Sequence, residues 1–389
     1  MRSASATLTP LVRIAEVVGA DKIYNPRQPY DTTGISPDGD AACDSLTGAH
    51  HLAAGPLRVI CHRDAASAAA LELLAVAGHA VEIEPLVYAG RDEYEALLAA
   101  AGEGEIVYQH VQPPSGARPE TYAVARDLLV RLTNKGRLHE FVAAEHLPRR
   151  RVIPTGSLAA AVSPDELPVV VKAACDESLG GGDGVRICRS EADVAAAARD
   201  FRVAPEVVVE ECVDVASNWC VNFAVVPGEP VRYLGAAEQI VSSEGAYEGS
   251  RIGRLAPADV VGAGHWIAEA ARDAGYRGIA GFDIVQTADG RTVALDLNCR
   301  LNACTAALLL RHDLEEWSGS GTMVAGDWET GLDDSRLIGR VAELVGRRLF
   351  VPTGSFLPRT GTRRVWGIVL GADRDDALAR VLHVRAALA

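Results

Sequence analysis

A chain of 389 residues, 48% hydrophobic and 5% aromatic, is long enough for two or three domains and suits a compact α/β enzyme rather than a disordered or fibrous protein. Its net charge of −14 leaves no basic excess to neutralise a phosphate backbone, so nucleic acid is not an expected partner. The eight cysteines form no C-x-x-C pair, and no apolar run approaches the ~20 residues of a membrane helix. Arg13 and Glu16 interrupt the N-terminal apolar stretch, so no signal peptide is expected and a reducing cytoplasm fits best.

Residues 1–55 are turn-rich and yield no element. Strand-like runs at 57–61, 80–83 and 105–110 then alternate with helical runs at 65–78 and 92–101, which predicts a parallel α/β unit. No G-x-G-x-x-G occurs in it, so it reads as a platform forming one wall of a cleft. A helix is expected over 119–132, a boundary at 134–136, a helix through Val142, and a strand at 149–153 that begins with three arginines. Of 38 basic residues only Lys22, Lys135 and Lys172 are lysines, which singles out Lys135 and Lys172 as point charges able to grip a phosphate.

Lys172 lies near the end of a strand at 168–174, followed by a glycine-rich loop at 178–184 and a strand at 185–188. The backbone N–H groups of Gly180, Gly181, Gly182 and Gly184 can approach phosphates without Cβ obstruction. The spacing is not that of a P-loop. After a helix at 190–199, the strand 206–213 breaks into a polar step at Glu210, Glu211, Cys212 and Val213. That step fits either the edge of an adenine or a strand ending at solvated acids. A strand at 218–226 follows, then a polar, glycine-dotted segment at 238–251 read as a cleft loop, then a helix at 258–274.

Two further strands, 281–286 and 292–300, flank Asp289-Gly290. Taken as a two-residue type I′ turn, this dipeptide puts 285 opposite 294, 284 opposite 295 and Asp283 opposite Asp296. Facing carboxylates repel by about 0.2–1 kcal/mol or more, and a divalent cation converts repulsion into coordination. On that reading Asp296→Asn leaves the metal-free fold unharmed or slightly more stable. Alternation adds Asn298 and Arg300 to the same face, a metal-and-phosphate composition. Residues 311–389 suggest a loop near 354–358, a strand at 361–370 and a final helix, which complete the cleft or make a dimer interface.

In this order the motifs Asn134-Lys135, Val171-Lys172, the glycine loop, Glu210–Val213 and the hairpin acids resemble the ATP-grasp superfamily over about 134–305. The nearest likeness is to bacterial peptide ligases of the pheganomycin type. The resemblance implies an ATP-grasp fold with an N-terminal α/β pre-grasp domain (1–133), two grasp subdomains (134–205 and 206–310) and a C-terminal segment (311–389). It implies ATP with one or two Mg²⁺ ions as cofactors. Lys135, Lys172 and the glycines would hold phosphates. Glu210, Glu211, Cys212 and Val213 would line adenine, while the ribose-binding acid common after that step has no clear match, only Asp214 or Asn218. Asp283, Asp296 and Asn298 would hold Mg²⁺. Glu238, Gln239, Gly249, Ser250 and Arg300 would meet substrate, with Arg300 and Lys172 acting on the transferring phosphoryl group. The implied reaction joins small-molecule carboxylate and amine substrates, amino acids, through an acyl phosphate. A kinase- or carboxylase-type enzyme and a non-catalytic nucleotide-binding regulator remain as alternatives; Arg300 and the intact acid pair count against the regulator. Asp296 replaces a frequent Glu, and Cys299 a frequent Pro.

Overall fold

The computed structural model describes residues 8–30, 39–79, 85–176, 184–242 and 247–389. Helix α1 (Ile14–Val18) and strand β1 (Ile23–Asn25) open the described chain. Then come α2 (Gly39–Leu46), α3 (His51–Ala54), β2 (Arg58–His62), α4 (Ala68–Val76), β3 (Pro85–Tyr88), α5 (Arg91–Ala100), β4 (Ile106–Tyr108) and α6 (Arg126–Thr133). The four strands run parallel in the order β3-β2-β1-β4. Val59, Ile60 and Cys61 are buried on both faces, as a sheet covered by helices on each side requires. The turn-rich start thus contains an inner strand of this sheet; at three residues β1 is too short to show a period. The strand expected at 80–83 lies outside the described residues, and the observed edge strand starts at Pro85, where a missing N–H is tolerated. The expected helix at 119–132 begins as a 3₁₀ turn, Pro119–Thr121, and the one through Val142 is a 3₁₀ stretch, Lys135–Glu140.

Next come β5 (Arg150–Pro154), α7 (Leu158–Ala161), β6 (Val169–Ala174), β7 (Val185–Cys188), α8 (Glu191–Asp200) and β8 (Glu206–Glu211). They form a small antiparallel sheet, β5-β8-β6-β7, whose helix α8 is started by a Ser190/Asp193 capping box. The third sheet is built from β9 (Val215–Val225), β10 (Arg232–Val241), β11 (Tyr247–Ile252), β12 (Gly278–Thr287), β13 (Thr292–Asn298), β14 (Thr322–Thr330), β15 (Phe350–Phe356) and β16 (Arg363–Gly371). Its order is β13-β12-β9-β10-β11-β14-β16-β15, antiparallel throughout. Helix α9 (Ala258–Asp273) buries Val260, Ala263, Gly264, Ile267, Ala268 and Ala271 against it, a helical stripe that the sequence spacing already shows. Helices α10 (Thr305–Ser318), α11 (Asp334–Gly346) and α12 (Arg374–Leu388) complete the chain.

Two expectations are corrected here. The segment 238–251, expected as a cleft loop, is strand at 238–241 (β10) and 247–251 (β11), its polar residues alternating on a sheet that is open to the cleft. The loop near 354 belongs to β15, which with β14 and β16 extends the hairpin's own sheet. This end of the sheet is locked to the N-terminal unit. Helix α4 shares a core with α11, α12 and β15, and Gly354 meets Gly48 backbone to backbone. A Cβ on Gly354 would stand 1.8 Å from the Gly48 carbonyl oxygen, and one on Gly48 2.1 Å from that of Ser355. Backbone cannot yield as a side-chain tip can, so Gly354→Ala lowers unfolding free energy by about 3 kcal/mol. In urea its midpoint drops, whereas Gly262→Ala, which meets nothing on the open face of α9, is neutral or stabilising.

Candidate active site

The hairpin β12–β13 is closed by Thr287 and Arg291: the Thr287 N–H donates to the Arg291 carbonyl at 2.9 Å, and the Gly290 N–H to the Thr287 carbonyl at 2.9 Å. Gly290 has φ +86. The loop is therefore three residues long, not the two of a type I′ turn, and next to it Ile284 faces Ala294 and Val285 faces Val293. Carried onward, that register would separate the acids. A bulge after Asp283 inserts Leu295 on β13 and restores the pairing, so that Asp283 faces Asp296 and Gly281 faces Asn298. The bulged Leu295 carbonyl, on the edge strand, accepts a hydrogen bond from Lys172 Nζ at 2.7 Å.

Opposed positions carry this face across the sheet as Asp296, Asp283, Cys220 and Ala237, with Gln239 two residues beyond and Ser250 opposite Gln239. Gln239 Nε2 donates to Asp283 Oδ1 at 2.8 Å, and Asn298 Nδ2 to Asp283 Oδ2 at 3.2 Å. Lys135 Nζ sits 2.6 Å from Asp296 Oδ2. Burial and then the charge of Asp296 push the Asp283 carboxyl up to about 6. For Asp296 burial acts the same way, but Lys135, Lys172 and Arg300 outweigh it and hold its carboxyl below the usual range.

Strand β13 ends at Asn298, so Arg300 is not on a continuing strand as expected. Its N–H turns back to the Asn298 carbonyl at 2.8 Å, and its Nη2 reaches Asn298 Oδ1 at 2.7 Å. The segment bearing it is pinned by Asn302, which lies over Gly281 where a Cβ would come 1.7 Å from its Nδ2. From there Arg300 faces the N-terminal unit. Burial, and next the charge of Arg300, hold His110 well below its ordinary value and His50 at about 3, so both imidazoles are neutral.

On the small sheet Arg150 directly faces Glu210 across β5 and β8, and Lys172 lies diagonally on the same face. Lys172 Nζ is 2.6 Å from Glu210 Oε2. The carboxylate of Glu210 is thus spent on cations within the sheet, leaving its other oxygen, Oε1, without a hydrogen bond. Glu211 points to the opposite face, where Arg149 and Arg291 clamp it; Arg291 approaches to 2.8 Å and pulls the carboxyl down to about 2. Cys212 and Val213 are half-buried in the link from β8 to β9. Asn218 shares the Asp283 face, with a buried Oδ1 lacking a hydrogen-bond partner.

Gly180, Gly181 and Gly182 lie outside the described residues. Gly184 is buried, and its carbonyl accepts the Ala173 N–H at 2.8 Å. The expected substrate residues divide. Gln239 and Ser250 belong to the acid-pair face, with the Ser250 Oγ 2.9 Å from the Tyr247 hydroxyl. Alternation turns Glu238 to the other face, paired with Arg251. Gly249, at φ +154, serves close packing, since a Cβ there would meet the Ala325 carbonyl at 3.2 Å. Sequence reasoning missed Arg150, His50 and His110. The arginine run at 149–151 was the only signal for the first, and nothing periodic marks the histidines.

These residues fit a magnesium–nucleotide complex. Mg²⁺ bound with phosphates takes one or two carboxylates, with phosphate oxygens and waters completing its shell. Two opposed carboxylates and an amide supply that set. No group of three or more His, Cys, Asp or Glu able to hold a metal occurs among the described residues. No described helix is long and apolar enough to cross a membrane.

Fold, acid pair and converging cations define an ATP-grasp ligase, and the chain belongs to that superfamily of ADP-forming enzymes that make C–N bonds. Within it, the family described as L-aspartate–L-methionine ligase, ATP grasp, matches residues 148–298, and the N-terminal domain of the same ligase matches residues 13–130. Solved structures share the fold at low identity. An N5-carboxyaminoimidazole ribonucleotide synthetase in complex with ADP is 14% identical with a TM-score of 0.58, covering 97% of either chain. L-amino acid ligase from Bacillus licheniformis is 12% identical with a TM-score of 0.54, over 94% of this chain and 97% of that one. Biotin carboxylase from Campylobacter jejuni is 13% identical with a TM-score of 0.54, over 85% and 86%.

Two outcomes follow from the ion pairs. Asp296→Asn strands the half-buried Lys135, so it lowers stability by about 1–3 kcal/mol in urea unfolding without nucleotide, against the gain expected from relieved repulsion alone. Glu211 titrates lower folded than unfolded. Its contribution is therefore complete above about pH 4.5 and is lost as pH falls toward 2. Arg291→Gln lowers stability at pH 7 by about 0.5–1 kcal/mol and flattens that acid limb, as stability measured from pH 7 to 2 will read.

Proposed function

We propose that this chain ligates two amino acids at the expense of ATP, phosphorylating the carboxylate of one and coupling it to the amine of the other. L-aspartate and L-methionine are the first pair to test, because both matching families carry that description. We further propose that the reaction runs in the cytoplasm and belongs to the making of small peptide natural products. The observation that carries the reading is the convergence of Lys135, Lys172 and Arg300, from three separate segments, on the opposed carboxylates Asp283 and Asp296.

Phosphoryl transfer needs little from a protein besides positioning and charge neutralisation. Asp283, Asp296 and Asn298 would hold Mg²⁺, which would supply positive charge to neutralise the charge developing in phosphoryl transfer. Lys135 and Lys172 would turn from Asp296 and the Leu295 carbonyl to phosphate oxygens. The substrate carboxylate attacks the γ-phosphorus, the bond to the β-bridging oxygen breaks, and ADP leaves. The amine, having lost a proton, then attacks the acyl carbon. Phosphate departs with the C–O electron pair and takes one of the two protons left on nitrogen, giving the amide. Arg300, fixed by Asn298 and facing the N-terminal wall, stabilises charge on the acyl phosphate. The neutral His50 and His110 beside it leave Arg300 as the cation there.

With ATP, Mg²⁺, L-aspartate and L-methionine the expected products are ADP, phosphate and a compound of the two masses less water; hydroxylamine traps a hydroxamate of the activated acid. Release of AMP and pyrophosphate overturns the reading. Asp283→Asn lowers turnover about 10²–10³-fold while ADP still binds without Mg²⁺.

A further inference from the structure

Arg149 precedes strand β5, and Arg150 and Arg151 open it; the first and the third have acid partners elsewhere. Arg149 is clamped to Glu211, and Arg151 bonds Glu166 Oε1 at 2.6 Å and the Ala161 carbonyl at 2.9 Å. Arg150 alone turns into the cleft. Its side chain is 9% exposed, and its Nη2 donates to the carbonyl of Lys135, which fixes the guanidinium plane. The Nη1 group is buried and makes no hydrogen bond. Glu210 Oε1, the nearest acid oxygen, stands 3.6 Å away and is likewise without a partner. A buried, unsatisfied donor on a charged group is costly, by about 1–3 kcal/mol or more, and calls for an explanation.

Charge supplies one. Glu210 is shared by two cations, Lys172 at 2.6 Å and Arg150 at 3.6 Å, which leaves one positive charge in surplus beside the acid pair. Lys135 is balanced only as long as it keeps Asp296. Once Mg²⁺ takes that carboxylate, the wall formed by Lys135, Lys172, Arg150 and Glu210 carries two positive charges in excess. A polyphosphate fits that surplus, and a guanidinium with a free amino group is built to meet a phosphate oxygen.

We propose that Arg150 is a third phosphate-binding cation of the nucleotide cleft, beside Lys135 and Lys172, and that its free Nη1 donates to a phosphate oxygen of the bound nucleotide. This inference rests on the ATP-dependent reading above. The geometry separates two functions in one side chain: Nη2 holds the backbone of Lys135, and Nη1 reads the ligand. Binding a phosphate would therefore also fix the position of the neighbouring lysine.

Calorimetric titration of the full chain with adenosine, ADP and ATP in Mg²⁺, without amino acids, tests it. Arg150→Met is expected to bind adenosine within twofold of the parent but ADP or ATP 10- to 30-fold more weakly, with Arg150→Lys recovering part of the loss. Equal weakening of adenosine and ADP would assign Arg150 to the adenine or to the framework, and no weakening of any ligand would remove it from the site; either overturns the proposal. If Arg150→Met does not fold, Arg150→Met with Glu210→Gln removes both members of the cross-strand pair, and the same ratio is read against Glu210→Gln alone. A parent that binds ADP but makes no dipeptide fails the ligase reading and leaves this inference standing. A parent that binds no nucleotide ends both.

Discussion

Two carboxylates on facing positions of adjacent strands repel, and the hairpin that carries Asp283 and Asp296 keeps them together only because cations and amides surround them. That constraint accounts for much of the surrounding structure. The strand that bears Asp296 lies at the edge of the large sheet, so Lys135 and Lys172 can approach from the side. The bulge at Leu295 turns a carbonyl outward to meet the second of them. Gly281 is bare so that Asn302 can lie across it and hold the segment of Arg300. The acids have pKa values driven in opposite directions by these neighbours, which leaves one carboxylate firmly ionised and the other readily protonated.

The small sheet works as a counter-ion carrier. Its inner face presents Arg150 opposite Glu210 with Lys172 diagonal to them, and its other face is tied through Glu211 to Arg291, beside the hairpin tip. The sheet is therefore fastened to the hairpin on the outside while its inner cations remain exchangeable. On the function proposed above, cations that traded a protein carboxylate for a phosphate would already stand beside it, and such preorganisation is what phosphoryl transfer requires.

The N-terminal and C-terminal parts of the chain form a frame that sets the far wall. Helix α4 packs in one core with α11, α12 and β15, and the glycine contact at Gly48 and Gly354 leaves no room for adjustment. With that wall fixed, His110, just past the carboxyl end of β4, lies close enough for the charge of Arg300 to lower its pKa.

Local chemistry alone determined a good part of this. The stripe of α9, the strand of Lys172 and the start of α8 at Ser190 follow from period and residue type, whereas the opposition of Asp283 and Asp296 needed more. The pair was reached through a wrong turn type, and it holds because a longer loop and a bulge cancel. Neither has a signature in the sequence, since glycine after aspartate serves several turns and any apolar residue can bulge. Strands β10 and β11 were hidden because polar residues on an open sheet look like a loop. That Glu238 faces away from Gln239, that Glu210 is held by Lys172 and Arg150, and that Arg150 turns inward while its two neighbours turn out, are matters of register and packing between segments distant in the chain. Sequence names the groups that chemistry needs; only the tertiary structure decides which charges meet, because partners are set by the strands that happen to lie alongside.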